Sequence, residues 1–230
     1  GPAKLHLHEA ALPPFEEASQ FIRDAHMRGR PVAVHCVTEV ELVFTLALFD
    51  DAGAISGDRI EHASVTSPEN GRRMADLGLS ACVQPQFVTE RGDRYLLDVE
   101  ERYQSDLYRV ASLRNAGITL AGGSDAPFAS ADPWQGVNAA VDRRTRQGKV
   151  LGGDEALSPE EALALYVADP ADLTRQRKIE PGAVADLVLL DCPWAEARDR
   201  LASAQVRATF IAGRLVHSGV NQAPGQRTPS

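Results

Sequence analysis

Short β-branched runs alternate with amphipathic stretches through the first 150 residues, and no other feature of this chain limits its fold so tightly. Residues 31–36 (Pro-Val-Ala-Val-His-Cys) form one such run. The stretch Glu39–Asp51 behind it carries Val40, Val43, Phe44, Ala47 and Leu48 at helical spacing. The pattern repeats: Arg59–His62 as strand with Pro68–Leu77 as helix, Leu79–Gln84 with Asp106–Ala116 closed by Gly117, and Ile118–Gly123 with Pro133–Arg146. Ala3–Glu9 and Phe15–Arg28, ending at Gly29, precede them as a first strand and helix. Five βα units imply a parallel sheet covered by helices, either open and doubly wound or part of a barrel. One connection is long: Gln86–Ser105 is expected as a functional loop.

The character changes after residue 150. Ser158-Pro159-Glu160-Glu161 has the N-cap, N1 proline and acid of a helix running to about Val167. Ala185–Asp191, Arg207–Ala212 and Leu215–His217 read as a small antiparallel β unit, with turns at Pro181-Gly182 and Gly213-Arg214. The tail Asn221–Ser230, rich in Pro, Gly, Gln and Ser, is expected to be disordered.

Charge narrows the function. Lys plus Arg number 24 against 32 Asp plus Glu, a net charge of −8. Such a chain is poorly suited to nucleic acid or to an anionic membrane surface. No apolar run approaches the ~20 residues of a membrane span. Three scattered cysteines, Cys36, Cys82 and Cys192, make no disulfide framework, so a reducing cytoplasm is the expected compartment.

Chemistry gathers at the expected strand ends. His35 and His62 sit near the ends of their strands, Asp125 directly follows the last, and Gln84 closes the strand between. Imidazole and carboxylate suit zinc and similar divalent ions, and a carboxylate beside such an ion can take a proton from the water it acidifies. Singly, each residue is ordinary. A lone strand-end His is commonly a structural hydrogen-bonding residue, and Asp125 in Gly-Ser-Asp-Ala-Pro could cap a turn. Their equivalent placement is what links them.

Four motifs occur in a telling order: Val34-His35-Cys36, Asp58-Arg59-Ile60-Glu61-His62-Ala63, Gln84-Pro85-Gln86-Phe87 and Gly123-Ser124-Asp125-Ala126-Pro127. With Ile179–Asp191 and Thr209–Val216, the ordered set resembles the metal-dependent amidohydrolase superfamily. The nearest likeness is its amidohydrolase-3 branch, which includes N-substituted formamide deformylase-like enzymes; the resemblance covers roughly residues 1 to 218. It implies strands four to eight of a TIM-like (β/α)8 barrel over residues 1–168, part of a β-sandwich over 169–218, and a disordered tail over 219–230. It implies His35 and His62 as the metal ligands of strands five and six. Asp125 would be the strand-eight ligand and general base, and Lys4 the strand-four lysine, carboxylated in many relatives and bridging two metals. The cofactor is then one or two divalent ions, zinc foremost.

The family also carries a His-x-His pair on its first strand. His6-Leu7-His8 is not equated with it, since these residues directly follow Lys4 and only one helix separates them from the His35 strand. They read instead as strand-end surface or pocket residues, His26 as a helix-end residue and His217 as part of the terminal hairpin. Without strands one to three, the chain reads as the C-terminal part of a longer enzyme.

The expected activity is hydrolysis of non-peptide C–N bonds in a small-molecule substrate. Gln84, Arg91 and Tyr95 are the candidate substrate contacts, the last two within the 86–105 loop, and Trp134 is expected to pack below the Asp125 loop. The alternative is a non-catalytic fragment or half-barrel interaction module. Open sheet edges would favour homo-oligomers in either case.

Overall fold

The computed structural model describes residues 1–219, and the tail expected from residue 219 onward lies, past Gly219, outside the described residues. The chain divides into two compact units, Gly1–Gln176 and a second beginning at Arg177.

The first unit is built on βα repeats. In chain order they are β1 (Ala3–His6), α1 (Phe15–Met27), β2 (Val32–Cys36), α2 (Glu39–Ala52), β3 (Arg59–His62), α3 (Pro68–Asp76) and β4 (Ser80–Val83). There follow α4 (Gln86–Asp98), α5 (Glu101–Gln104), α6 (Val110–Asn115), β5 (Leu120–Gly122), α7 (Pro133–Asp142) and α8 (Pro159–Ala164), then the hairpin β6 (Ala168–Asp169) and β7 (Asp172–Gln176). Strands β1 to β5 form one parallel sheet in sequential order, with β1 and β5 at its edges.

Polar side chains start four of the helices. Thr38 and Glu41 form a capping box on α2, and Ser158 and Glu161 form another on α8. Ser67 and Asp132 cap α3 and α7, each followed by proline at the first helical position. Among the described residues, no helix is long and apolar enough to cross a membrane.

One expectation about this unit is corrected. The segment 86–105 is not a loop: α4 and α5 occupy nearly all of it. Its apolar residues explain why. Phe87 and Val88 are buried in a cluster with Leu107, Tyr108, Ala129 and Leu151, and Tyr95, Leu96 and Val99 pack against it from the side. The hairpin β6–β7, unforeseen, lies within the first unit.

The second unit holds the antiparallel sheet of β8 (Leu187–Leu190), β9 (Val206–Ile211) and β10 (Arg214–Ser218), ordered β10-β9-β8, with α9 (Trp194–Ala197) between the first two strands. The tight turn is Ala212-Gly213 rather than Gly213-Arg214. Both turn residues have positive φ, 49° and 77°, and Arg214 already pairs with Ile211. A two-residue hairpin whose central residues both have positive φ has the twist that suits its flanking strands.

In the first unit one buried carboxylate ties the sheet to its surroundings. Asp58, fully buried, accepts hydrogen bonds from the backbone N–H of Val32 (2.7 Å) and Ile55 (2.8 Å) and faces His26 Nε2 at 3.1 Å. It thereby joins the start of β2, the turn before β3 and the end of α1. Removing it strands two backbone donors, and each buried unsatisfied donor costs about 1–3 kcal/mol. Asp58→Ala is therefore expected to destabilise the fold by ~2–4 kcal/mol, seen as a lower urea midpoint at unchanged slope. A midpoint equal to that of the parent chain would show that water takes over those donors.

Candidate functional site

Register across the parallel sheet decides which side chains can meet, because residues paired across a ladder share a face. His6 pairs with His35, His35 with Glu61, Glu61 with Cys82, and Cys82 with Ala121, making one row across all five strands. The row before it on the same face is Lys4, Ala33, Arg59 and Ser80. The opposite face carries Val34, Ile60 and Ala81, all fully buried. The site face is thus the polar one, and Arg59 and Glu61 form an ion pair on it at 2.7 Å.

By that register His62 belongs with Cys36 on the apolar face. The backbone overrides the alternation. His62 and Ala63 have φ of 76° and 48°, in the left-handed region that non-glycine residues seldom occupy. The chain therefore turns at the end of β3, and the His62 ring meets the His35 ring edge-on with centroids 4.5 Å apart. Asp125, just past β5, also has a positive φ of 53°. Backbone strain of this kind costs of the order of 1–3 kcal/mol per residue and concentrates where function requires it.

The His35 ring also lies 5.8 Å from that of His6 and 6.3 Å from that of His8, measured between centroids. Burial lowers the His35 pKa below its ordinary value, and the neighbouring His62, His6 and His8 lower it further against the opposing pull of Glu41. A neutral imidazole is the form that ligates metals. His62, nearly buried, has its Nδ1 2.8 Å from Gln84 Oε1.

Asp125 stands on a braced strand end. Gln86, buried at the head of α4, donates from Nε2 to the Gly123 carbonyl (2.9 Å) and accepts from the Tyr166 hydroxyl (3.2 Å). Beyond Asp125, Arg91 donates to the Phe128 carbonyl (2.6 Å), and Glu90 accepts from Ser130 N–H (3.0 Å). Helix α4 therefore clamps the Asp125 segment on both sides.

The expected site residues separate into three groups. His35 and His62 are brought together. Asp125 does not complete a donor group with them: among the described residues, no three or more His, Cys, Asp or Glu are grouped to hold a metal ion. Lys4 is exposed on β1, on the same face as His35. Gln84, Arg91 and Tyr95, expected at substrate, each have protein partners. Gln84 contacts His62 and the Cys82 carbonyl, Arg91 lies over the Phe87 ring while holding Phe128, and the Tyr95 hydroxyl is 2.9 Å from that of Tyr108. Trp134 is half-buried at the start of α7. Sequence reading missed Glu61 as a lining residue, although its two-residue offset from Arg59 on a strand already places the pair on one face.

The model of the amidohydrolase family matches residues 4–217. The chain belongs to the amidohydrolase family. It is 30% identical over 197 residues to N-substituted formamide deformylase of Arthrobacter pascens, covering 81% of this chain and 36% of that protein. It is 28% identical over 218 residues to the protein LONG AFTER FAR-RED 3 of Arabidopsis thaliana, covering 88% and 36%. Among solved structures, an uncharacterized metal-dependent hydrolase from Pyrococcus horikoshii superposes with a TM-score of 0.60 at 32% identity, over 67% of this chain and 32% of its own. The chain thus spans about a third of the length of these relatives.

Cys82, in the central row, is the one thiol on the site face. Burial and the adjacent Glu61 push its pKa up to about 12, and burial pushes Cys36 equally far. A thiol so raised is a poor nucleophile at neutral pH. In the native chain at about pH 8, an aromatic disulfide reagent is expected to leave Cys36 and Cys82 unmodified and to label both once urea is added. Rapid native labelling of Cys82, located by peptide mapping, would reverse this assignment.

Proposed function

We propose that the protein bearing this chain is a metal-dependent hydrolase of non-peptide C–N bonds, of amide or formamide type, in small molecules. The observation that carries this reading is the meeting of the His35 and His62 rings at adjacent strand ends, the second hydrogen-bonded by Gln84. The relatives' names, a formamide deformylase and a metal-dependent hydrolase, support the same class.

The donor chemistry fits a divalent ion such as zinc in part. Two imidazoles are in place, and Asp125 and Lys4 are the proposed further donors, Lys4 in the carboxylated form. A bound ion of this kind would polarise the substrate carbonyl and acidify the attacking water.

The rest of the reaction falls to the chain's own residues. Asp125 accepts a proton from the attacking water as its oxygen bonds to the carbonyl carbon. It returns that proton to the nitrogen as the C–N bond breaks, leaving an acid and an amine. The clamp from α4 keeps the carboxylate in place through both transfers. The sheet that carries these groups is read as strands four to eight of a barrel, with the antiparallel unit as part of a β-sandwich, and its open edges as sites of self-association.

A second reading, a non-catalytic module, is favoured by one observation: no group of three or more candidate ligands exists among the described residues. The two diverge on Asp125→Asn. In the zinc-loaded protein, assayed against a panel of N-substituted formamides and simple amides, this change is expected to lower kcat by ~10²–10⁴ while KM stays within a few-fold. Turnover equal to the parent's would remove Asp125 from the mechanism, and absence of turnover in the parent would favour the module.

A further inference from the structure

We infer that Gln84 is the residue that sets the tautomer of His62, fixing its proton on Nδ1 and leaving Nε2 bare. The orientation of the Gln84 amide decides this. Its Nε2 lies 3.2 Å from the Cys82 carbonyl oxygen, which can only accept, so the amine end must face Cys82. Oε1 then faces His62 Nδ1 at 2.8 Å. A carbonyl-type oxygen cannot donate, so the proton of that hydrogen bond belongs to the imidazole. Gln84 and His62 are only 3% and 7% exposed, so water has little room to offer the alternative. A neutral ring has one N–H, and with Nδ1 holding it, Nε2 keeps its lone pair.

The strained turn and the amide act together. The positive φ at His62 and Ala63 brings the ring beside His35. Gln84, at the adjoining end of β4, then settles which nitrogen is free. Gln86, two residues on, braces Gly123 ahead of Asp125. One short segment, Gln84-Pro85-Gln86, thus supports both flanking strand ends. The role of Gln84 as a positioning residue rests on the reading of His62 as a metal donor; the tautomer itself does not.

The test uses the full 230-residue chain with isotope-labelled histidine nitrogens, read by long-range proton–nitrogen correlation without metal. In the parent, His62 is expected to be protonated on Nδ1. Gln84→Leu should move that proton wholly or partly to Nε2, the tautomer that free imidazole side chains favour in water. Gln84→Glu, which keeps an acceptor toward the ring, should keep Nδ1 protonated. Gln86→Leu, which removes an equally buried amide, should leave His62 unchanged. Titration of the same proteins with zinc against a chromophoric chelator should show Gln84→Leu binding about 10–100-fold more weakly than the parent. An Nε2 proton on His62 in the parent, or the same tautomer with and without Gln84, would overturn the inference. A tautomer that follows Gln84 in a chain that takes up no zinc would uphold it and instead overturn the reading of His62 as a metal donor in this chain.

Discussion

Hydrogen-bond register between parallel strands governs everything the site face can offer. Once His6 is opposite His35 and His35 opposite Glu61, the five strands present one polar row and one apolar row in strict alternation. The apolar row, with Val34, Ile60 and Ala81 fully buried, drives the helices onto one side of the sheet. Slipping β3 by one residue would exchange its faces and put Arg59 and Glu61 on the apolar side. Asp58 guards against that slip, since its carboxylate binds the backbone at the first residue of β2 and again in the turn before β3.

Alternation alone would still have separated the two imidazoles. His35 and His62 fall on opposite faces by register, and only the left-handed turn at residues 62–63 reunites them. Strain at a strand end is held there by surrounding contacts. His62 is fixed by Gln84, and Tyr108, itself at positive φ, donates its backbone N–H to the Ser64 carbonyl just beyond the turn. The site's geometry is therefore a property of two neighbouring strand ends and the segment between α5 and α6, not of any one motif.

The sequence made the layer order legible because β-branched runs and helical spacing each bury one face. Ser158 marked the start of α8 because its hydroxyl and the Glu161 carboxylate satisfy the first backbone donors of the helix, with Pro159 shaped for the first turn. The meeting of His35 and His62 was legible only as equivalent placement; the backbone angle that achieves it leaves no trace in residue type. Residues 86–105 looked like a loop because charged Arg91, Asp93 and Arg94 mask an apolar stripe of Phe87, Val88, Tyr95 and Leu96, which matters only once Leu107 and Leu151 come back to meet it. Gln84, Arg91 and Tyr95 each also have a partner far along the chain, 22, 37 and 13 residues away, beyond the reach of local pattern.

The Tyr166 ring has a mechanical consequence for this end of the sheet. A side chain at Gly122 would run into that ring at 2.8–3.1 Å, and one at Gly136 would collide with its hydroxyl, so the tyrosine fills the gap between β5 and α7 completely. An aromatic ring does not compress, and close-packed interiors transmit displacement instead of absorbing it. The separation of β5 from α7 therefore has a floor. The same ring is tied by its hydroxyl to Gln86, and Gln86 to the Gly123 carbonyl. The strand end that carries Asp125 thus sits between a ring that sets its closest approach to α7 and a hydrogen-bonded tether to α4.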